Sequence, residues 1–393
     1  MKFRFFAGVL VLMSICILTS CSSNFSSPSN GFLFVATQGD SSVYSFAIDL
    51  SSGNLSAINK PVSIKGTPKA MVISPAGDAL YGVNTDGTVW SVPVNTDGTM
   101  GSATTVSFSG VAQQDISPQD IVVDSQNKFL FVANQGLSTD LDSGAILVFS
   151  ISGGGLTQVG APVPVAISGD TLNPGPSALA VTADTKFLYA ANTFDSSVAL
   201  LQIDSSGNLT TVNTASAVPG AVGISPSGLS ISPDGTFLYV ANFGSSEISA
   251  FLICDKSVNT CQDVNNPDGT LTKVASGFPV SAGLGPLRMV FNPDGPFLFV
   301  VGQQSNQVLG YKVSTGSGVL TPVNNVSTGL APVALVTRAG SARNSDGSIQ
   351  SYLYAVNSGA ASISSFNYES TTGSLNLQTT TTTAGQPVAI VVK

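Results

Sequence analysis

Apolar and polar residues alternate along most of this chain, and one short apolar phrase returns seven times. It reads Phe32-Leu-Phe-Val-Ala-Thr37, Ala79-Leu-Tyr-Gly-Val-Asn84, Phe129-Leu-Phe-Val-Ala-Asn134, Phe187-Leu-Tyr-Ala-Ala-Asn192, Phe237-Leu-Tyr-Val-Ala-Asn242, Phe297-Leu-Phe-Val-Val-Gly302 and Tyr352-Leu-Tyr-Ala-Val-Asn357. Runs of about six apolar, aromatic-rich residues predict strands rather than helices. Ahead of most of them lies a second apolar run opened by proline, at Pro68, Pro118, Pro176, Pro226, Pro286 and Pro332. Proline is tolerated there because the first residue of a strand need not donate to the ladder. Turns such as Ser232-Pro-Asp-Gly235 and Asn292-Pro-Asp-Gly295 join the two runs, with the residues a tight hairpin requires. A third alternating run follows, as in Ser197 to Ile203, then a weaker fourth, as in Leu209 to Val212. Each repeat therefore predicts four antiparallel strands, and its length of about 50 residues is that of a propeller blade.

The two ends of the repeat array fix how it closes. It begins at a second strand, Phe32, and finishes with Gln386-Pro-Val-Ala-Ile-Val-Val392, which has the form of a first strand. The last strand is thus expected to complete the first blade and remove the open edges of an unfinished ring. The expected fold is an all-β, seven-bladed propeller over residues 31–393. The recurrent asparagines Asn84, Asn134, Asn192, Asn242 and Asn357 read as turn devices, since asparagine bonds local backbone and tolerates left-handed geometry. The run Thr379 to Thr383 fits an outer edge strand.

Composition agrees with strands and turns: 40 Gly, 21 Pro and only 9% charged residues. The N-terminus adds a separate expectation. Lys2 and Arg4, the apolar run Phe5 to Leu18 and the small residues before Cys21 have the form of a signal peptide over residues 1–20. That run is shorter than the ~20 residues a spanning helix needs. Leu18-Thr19-Ser20-Cys21 resembles the bacterial lipobox, which implies lipid on Cys21, a flexible tether over 21–30 and a lipid-anchored protein of the cell envelope. Ordinary secretion after cleavage is the competing reading. In an oxidising compartment Cys254 and Cys261 are expected to form a disulfide; a metal site there lacks any histidine to complete its ligands. Net charge is −8, and removing Lys2 and Arg4 makes it −10, which argues against nucleic acid as a partner.

The repeat resembles that of the seven-bladed lactonase family, which includes 6-phosphogluconolactonase-like proteins, and that of Tyr-Val-Thr-Asn surface-layer propellers. Enzymes of the lactonase family often carry Gly-Pro-Arg-His at the start of an inner strand; here the segment is Gly285-Pro286-Leu287-Arg288. The chain contains no histidine. That excludes Ser-His-Asp, Cys-His and His-ligated zinc mechanisms and leaves carboxylates, tyrosine and lysine as bases.

Two positions after each proline the inner strands carry Ala70, Asp120, Ala178, Gly228, Arg288, Ala334 and Ala389. Asp120 and Arg288 occupy equivalent places three blades apart, so both should face the channel or both face away. One reading makes Arg288 the cation for a carbonyl or oxyanion and Asp120 the base; the other makes them a charge pair. Lys69, Gln119 and Ser177, one position earlier, are candidate ligand contacts at the channel mouth. Asp140-Leu-Asp142-Ser-Gly144 and Asp263-Val-Asn265-Asn-Pro-Asp268-Gly269 offer oxygen ligands suited to calcium, but neither matches a full loop pattern; no cofactor is expected. The expected activity is that of a monomeric binding or scaffold propeller for a small molecule or envelope protein. A histidine-free lactone hydrolase and a surface-layer interaction module are the alternatives.

Overall fold

The computed structural model describes residues 31–393 except 142, 167–172, 213–219, 258–260, 262–266, 275, 294, 344–346 and 348, with backbone alone for residues 59 and 342. The signal segment, the tether and Cys21 lie outside the described residues, as do Asp142, Asp263 and Asn265 of the two acidic loops. Among the described residues no helix is long and apolar enough to cross a membrane.

The chain forms seven antiparallel sheets, which we number as blades 1 to 7 in the order of their second strands. Inner strands Pro68–Ile73, Pro118–Val123, Pro176–Val181, Pro226–Ile231, Pro286–Phe291 and Pro332–Arg343 open blades 2 to 7. Pro387–Val392 pairs antiparallel with Gly31–Thr37, the second strand of blade 1, and so completes that blade. This strand also packs beside the inner strands of blades 2 and 7, which closes the ring. Blade 5 departs from the expected four strands. Its outer edge is split into Leu271–Lys273 and Val280–Ser281, both paired with Glu247–Ile253.

Both faces of each second strand are buried, which explains why these strands read as continuous apolar runs. In blade 1, Phe32, Phe34 and Ala36 pack towards blade 2 while Leu33 and Val35 pack towards blade 7. The hydrophobic interior is accordingly seven clusters, one in each interface between neighbouring blades. The recurrent asparagines are structural, but by a different route from the one their residue type implies. None has a positive φ; they are buried in extended backbone and bond the neighbouring strand or loop. Asn192 and Asn357 donate to Ser197 and Ser362, Asn134 donates to the Asp115 and Ser143 carbonyls, and Asn84 accepts from Trp90 Nε1 at 3.0 Å. The left-handed position falls on the residue just before the third strand, as at Ser41, Ser196, Ser246, Asn306 and Ala361.

Cys254 and Cys261 form a disulfide across a separation of 7 residues beside the third strand of blade 5. On the chain-entropy model so short a loop contributes roughly 2.5 kcal/mol at most. Replacing both by serine should lower the midpoint of urea unfolding by a corresponding amount. An unaltered midpoint would show that the bond does not contribute to stability.

Candidate functional site in the central channel

Each inner strand carries a β-bulge between its proline and the second residue after it, seen in all seven blades as a register shift. The residue in between is left out of the ladder, so its side chain can be aimed independently of the pleat. Lys69, Gln119 and Ser177 are three of these bulge residues. Ser177 is nearly buried and its Oγ donates to the Ala191 and Pro226 carbonyls at 3.2 and 3.0 Å, tying blade 4 to blade 5. Ser227 repeats the arrangement one blade on. The Gln119 amide donates back to Ser117. Lys69 differs: among the described residues no hydrogen bond or ion pair engages its ammonium.

Asp120 and Arg288 both face the channel and meet across it. Arg288 Nη2 lies 3.2 Å from Asp120 Oδ1 and Nη1 lies 3.2 Å from Oδ2, a forked pair. Asp120 Oδ2 also accepts from the Leu179 amide at 2.9 Å, and the guanidinium donates to the Ser227 and Gln119 carbonyls at 3.3 Å each. The pair therefore links blades 3, 4, 5 and 6. Sequence placed both residues on one side of the strand register; it could not show that they touch. Gly228, the equivalent residue in blade 5, has no room for a side chain, because a Cβ there would fall 2.5 Å from the Leu287 carbonyl oxygen.

Lys69, Asp120 and Arg288 line one cavity of about 190 Å³ together with Met71, Met289, Leu335 and Ile390. Two cations and one carboxylate give this space a net positive charge. Burial, and then the Arg288 guanidinium, push the Lys69 ammonium below the usual lysine range, with Asp120 opposing in part. Around the mouth, Leu137, Phe194, Ile224, Leu284 and Leu330 are exposed on the loops. The last three stand two residues before the inner-strand prolines, a regularity already visible in the sequence. Asp268 comes close to the two cysteines, but these are joined to each other and cannot act as thiolate ligands.

The fold and channel thus define a closed propeller with a small cationic cavity on its axis. The family model for the seven-bladed β-propeller lactonases matches residues 23–165, 162–260 and 258–392, and the chain belongs to that family. A candidate 6-phosphogluconolactonase from Bacteroides fragilis is similar over 94% of this chain and 99% of its own, at 20% identity and a TM-score of 0.71. The periplasmic gluconolactonase of Pseudomonas aeruginosa matches over 93% and 99%, at 19% identity and a TM-score of 0.69. Identities this low speak to fold alone. No curated protein matches the chain.

Proposed function

We propose that the channel mouth recognises a compact ligand bearing a carboxylate or lactone carbonyl, of the sugar-acid and lactone class, and that Lys69 makes the first polar contact. The observation carrying this reading is the unpartnered, partly buried Lys69 ammonium, placed in a net positive cavity by a bulge. An ammonium so placed loses hydration without gaining a partner, which favours an incoming anion or carbonyl. The cavity suits a small molecule better than a macromolecular surface. The similarity to gluconolactonases supports a lactone or its open acid. Residence in the envelope through lipid on Cys21, as a monomer, belongs to the same proposal.

Calorimetric titration with gluconate and glucono-δ-lactone tests it. Lys69→Met should weaken binding about tenfold or more, the worth of a hydrogen bond to a charged group. It should not lower thermal stability, because the charged lysine already carries a desolvation cost. With a folded pKa below the unfolded value, the unfolded chain binds more protons in the window between them, so this residue makes stability rise with pH there. Equal affinities for parent and variant would sink the reading.

Hydrolysis is a second reading, favoured by the same lowered pKa, because it increases the neutral amine able to activate water. The two differ in sign with pH. Recognition by the ammonium weakens as pH rises through the Lys69 pKa, whereas turnover by the amine increases.

A further inference from the structure

At six of the seven blade junctions an aromatic ring sits on a glycine. The ring opens the recurrent apolar phrase within the second strand of one blade, and the glycine lies in the turn between the third and fourth strands of the next. The pairs are Phe32 with Gly98, Phe129 with Gly207, Phe187 with Gly269, Phe237 with Gly318, Phe297 with Gly373 and Tyr352 with Gly53. Contact is close enough that a Cβ on Gly98 would fall 2.3 Å from the Phe32 ring. The junction between blades 2 and 3 lacks the ring. Ala79 opens the strand there, and the matching glycine, Gly154, keeps the same left-handed backbone (φ 81° against 80° at Gly98) with nothing within 4 Å of where a Cβ would be.

The vacancy is a cavity of about 260 Å³ lined by Ala79, Tyr81, Pro93, Ile151, Gly153 and Gly154, with Asp78 and Asn127 at its edge. It lies on the face of the propeller opposite the channel mouth. The hydrogen bonds around it are made without an occupant. At other junctions a tyrosine donates to the glycine carbonyl, as Tyr189 to Gly269 and Tyr239 to Gly318 at 2.7 Å. Here Tyr81 donates to Asn127 Oδ1 at 3.2 Å and Ser91 takes the Gly154 carbonyl at 2.8 Å. What is missing relative to the other junctions is the contact of one ring; the exposed Asp78 carboxylate at the rim, whose Oδ1 accepts from Ser74, offers an acceptor to a hydroxyl carried by an incoming ring.

We propose that this junction is a binding site for a small phenolic ring, seated on Gly154 as the protein's own rings are seated on the equivalent glycines. An aromatic ring gains most of its affinity from buried apolar area and from flat contact. This space is open to solvent with a mixed polar and apolar lining, and Ala79, Tyr81, Pro93 and Ile151 with the Gly153–Gly154 backbone supply the contact a ring would make. The site is separate from the channel, so its fate does not depend on the function assigned to Lys69.

The probe is p-cresol, followed by thermal shift and by soaking crystals. The parent should bind one molecule between Ala79 and Gly154 with a dissociation constant of roughly a millimolar. Ala79→Phe, which supplies the missing ring from within, should weaken binding at least tenfold and raise the melting temperature of the unliganded protein. Ala79→Val fills part of the space and should give an intermediate loss, which keeps the test decisive if the larger side chain prevents folding. Lys69→Met should leave p-cresol binding unchanged. Absence of the ring from the junction at saturating p-cresol, or equal affinity in the parent and in the variant that folds, would overturn the proposal.

Discussion

A chain ending at Gly385 should fail to form the propeller and should aggregate, although it lacks only eight residues. Those residues carry the strand Pro387–Val392, in which Ala389, Ile390 and Val391 are buried. Ala389 and Val391 belong to the interface with blade 2, and Ile390 to that with blade 7. Their side chains represent roughly 5 kcal/mol of burial, before the lost ladder to Leu33–Thr37 is counted. A domain is stable by only about 5–15 kcal/mol, and the deletion also bares the edge of blade 1 to other chains. Circular dichroism melts and gel filtration of the truncated protein should therefore show no cooperative transition and no monomer peak. A circular permutant provides the control. Phe32 and Lys393 exchange backbone hydrogen bonds of 3.1 and 2.7 Å, so a short linker from Lys393 to Gly31 with new termini in the turn at Ser314 to Gly318 keeps every strand. It should melt as the parent does. A truncated chain that unfolded like the parent would refute the role given to the closing strand.

Closure and blade count were legible because both depend on patterns a sequence displays directly: a repeated phrase, proline at a strand start and a repeat cut at its two ends. The channel was legible only in part. Register places Asp120 and Arg288 on equivalent positions, but whether two long side chains meet across an axis depends on its width, which no residue encodes locally. The bulge that releases Lys69 is a property of pairing between strands and leaves no mark except the preceding proline. The asparagines show the same limit. Their type pointed to a local structural role, yet their partners lie on the third strand and on loops before the inner strand, contacts that exist only once the blade is assembled. The vacant junction is the converse case. Ala79 stands visibly where six other repeats have an aromatic residue, but its meaning appears only when Gly154 is placed opposite it.

Arg288→Met should cost about 2–3 kcal/mol in chemical denaturation. This is less than breaking a fully buried pair, since the Arg288 and Asp120 side chains retain 27% and 16% exposure. The loss comes from what remains: Asp120 keeps the Leu179 amide but loses both guanidinium contacts, and the Ser227 and Gln119 carbonyls lose a donor. Replacing Asp120 by leucine as well should recover much of the loss, with a coupling energy of roughly 1–3 kcal/mol in the double-mutant cycle. The same variants separate a strut from a ligand contact. In the single variant Lys69 and Asp120 are left as opposite charges lining one cavity, and their pairing removes the free ammonium on which recognition depends. Loss of the Arg288 repulsion also raises the Lys69 pKa, since Arg288 is the larger charge effect on it. Gluconate affinity should therefore fall in Arg288→Met and return in the double variant, where no carboxylate competes for Lys69. Any binding left should persist to higher pH in both. If affinity stayed lost in the stable double variant, Arg288 would itself hold the ligand, and the division of labour between Lys69 and the ion pair would be wrong.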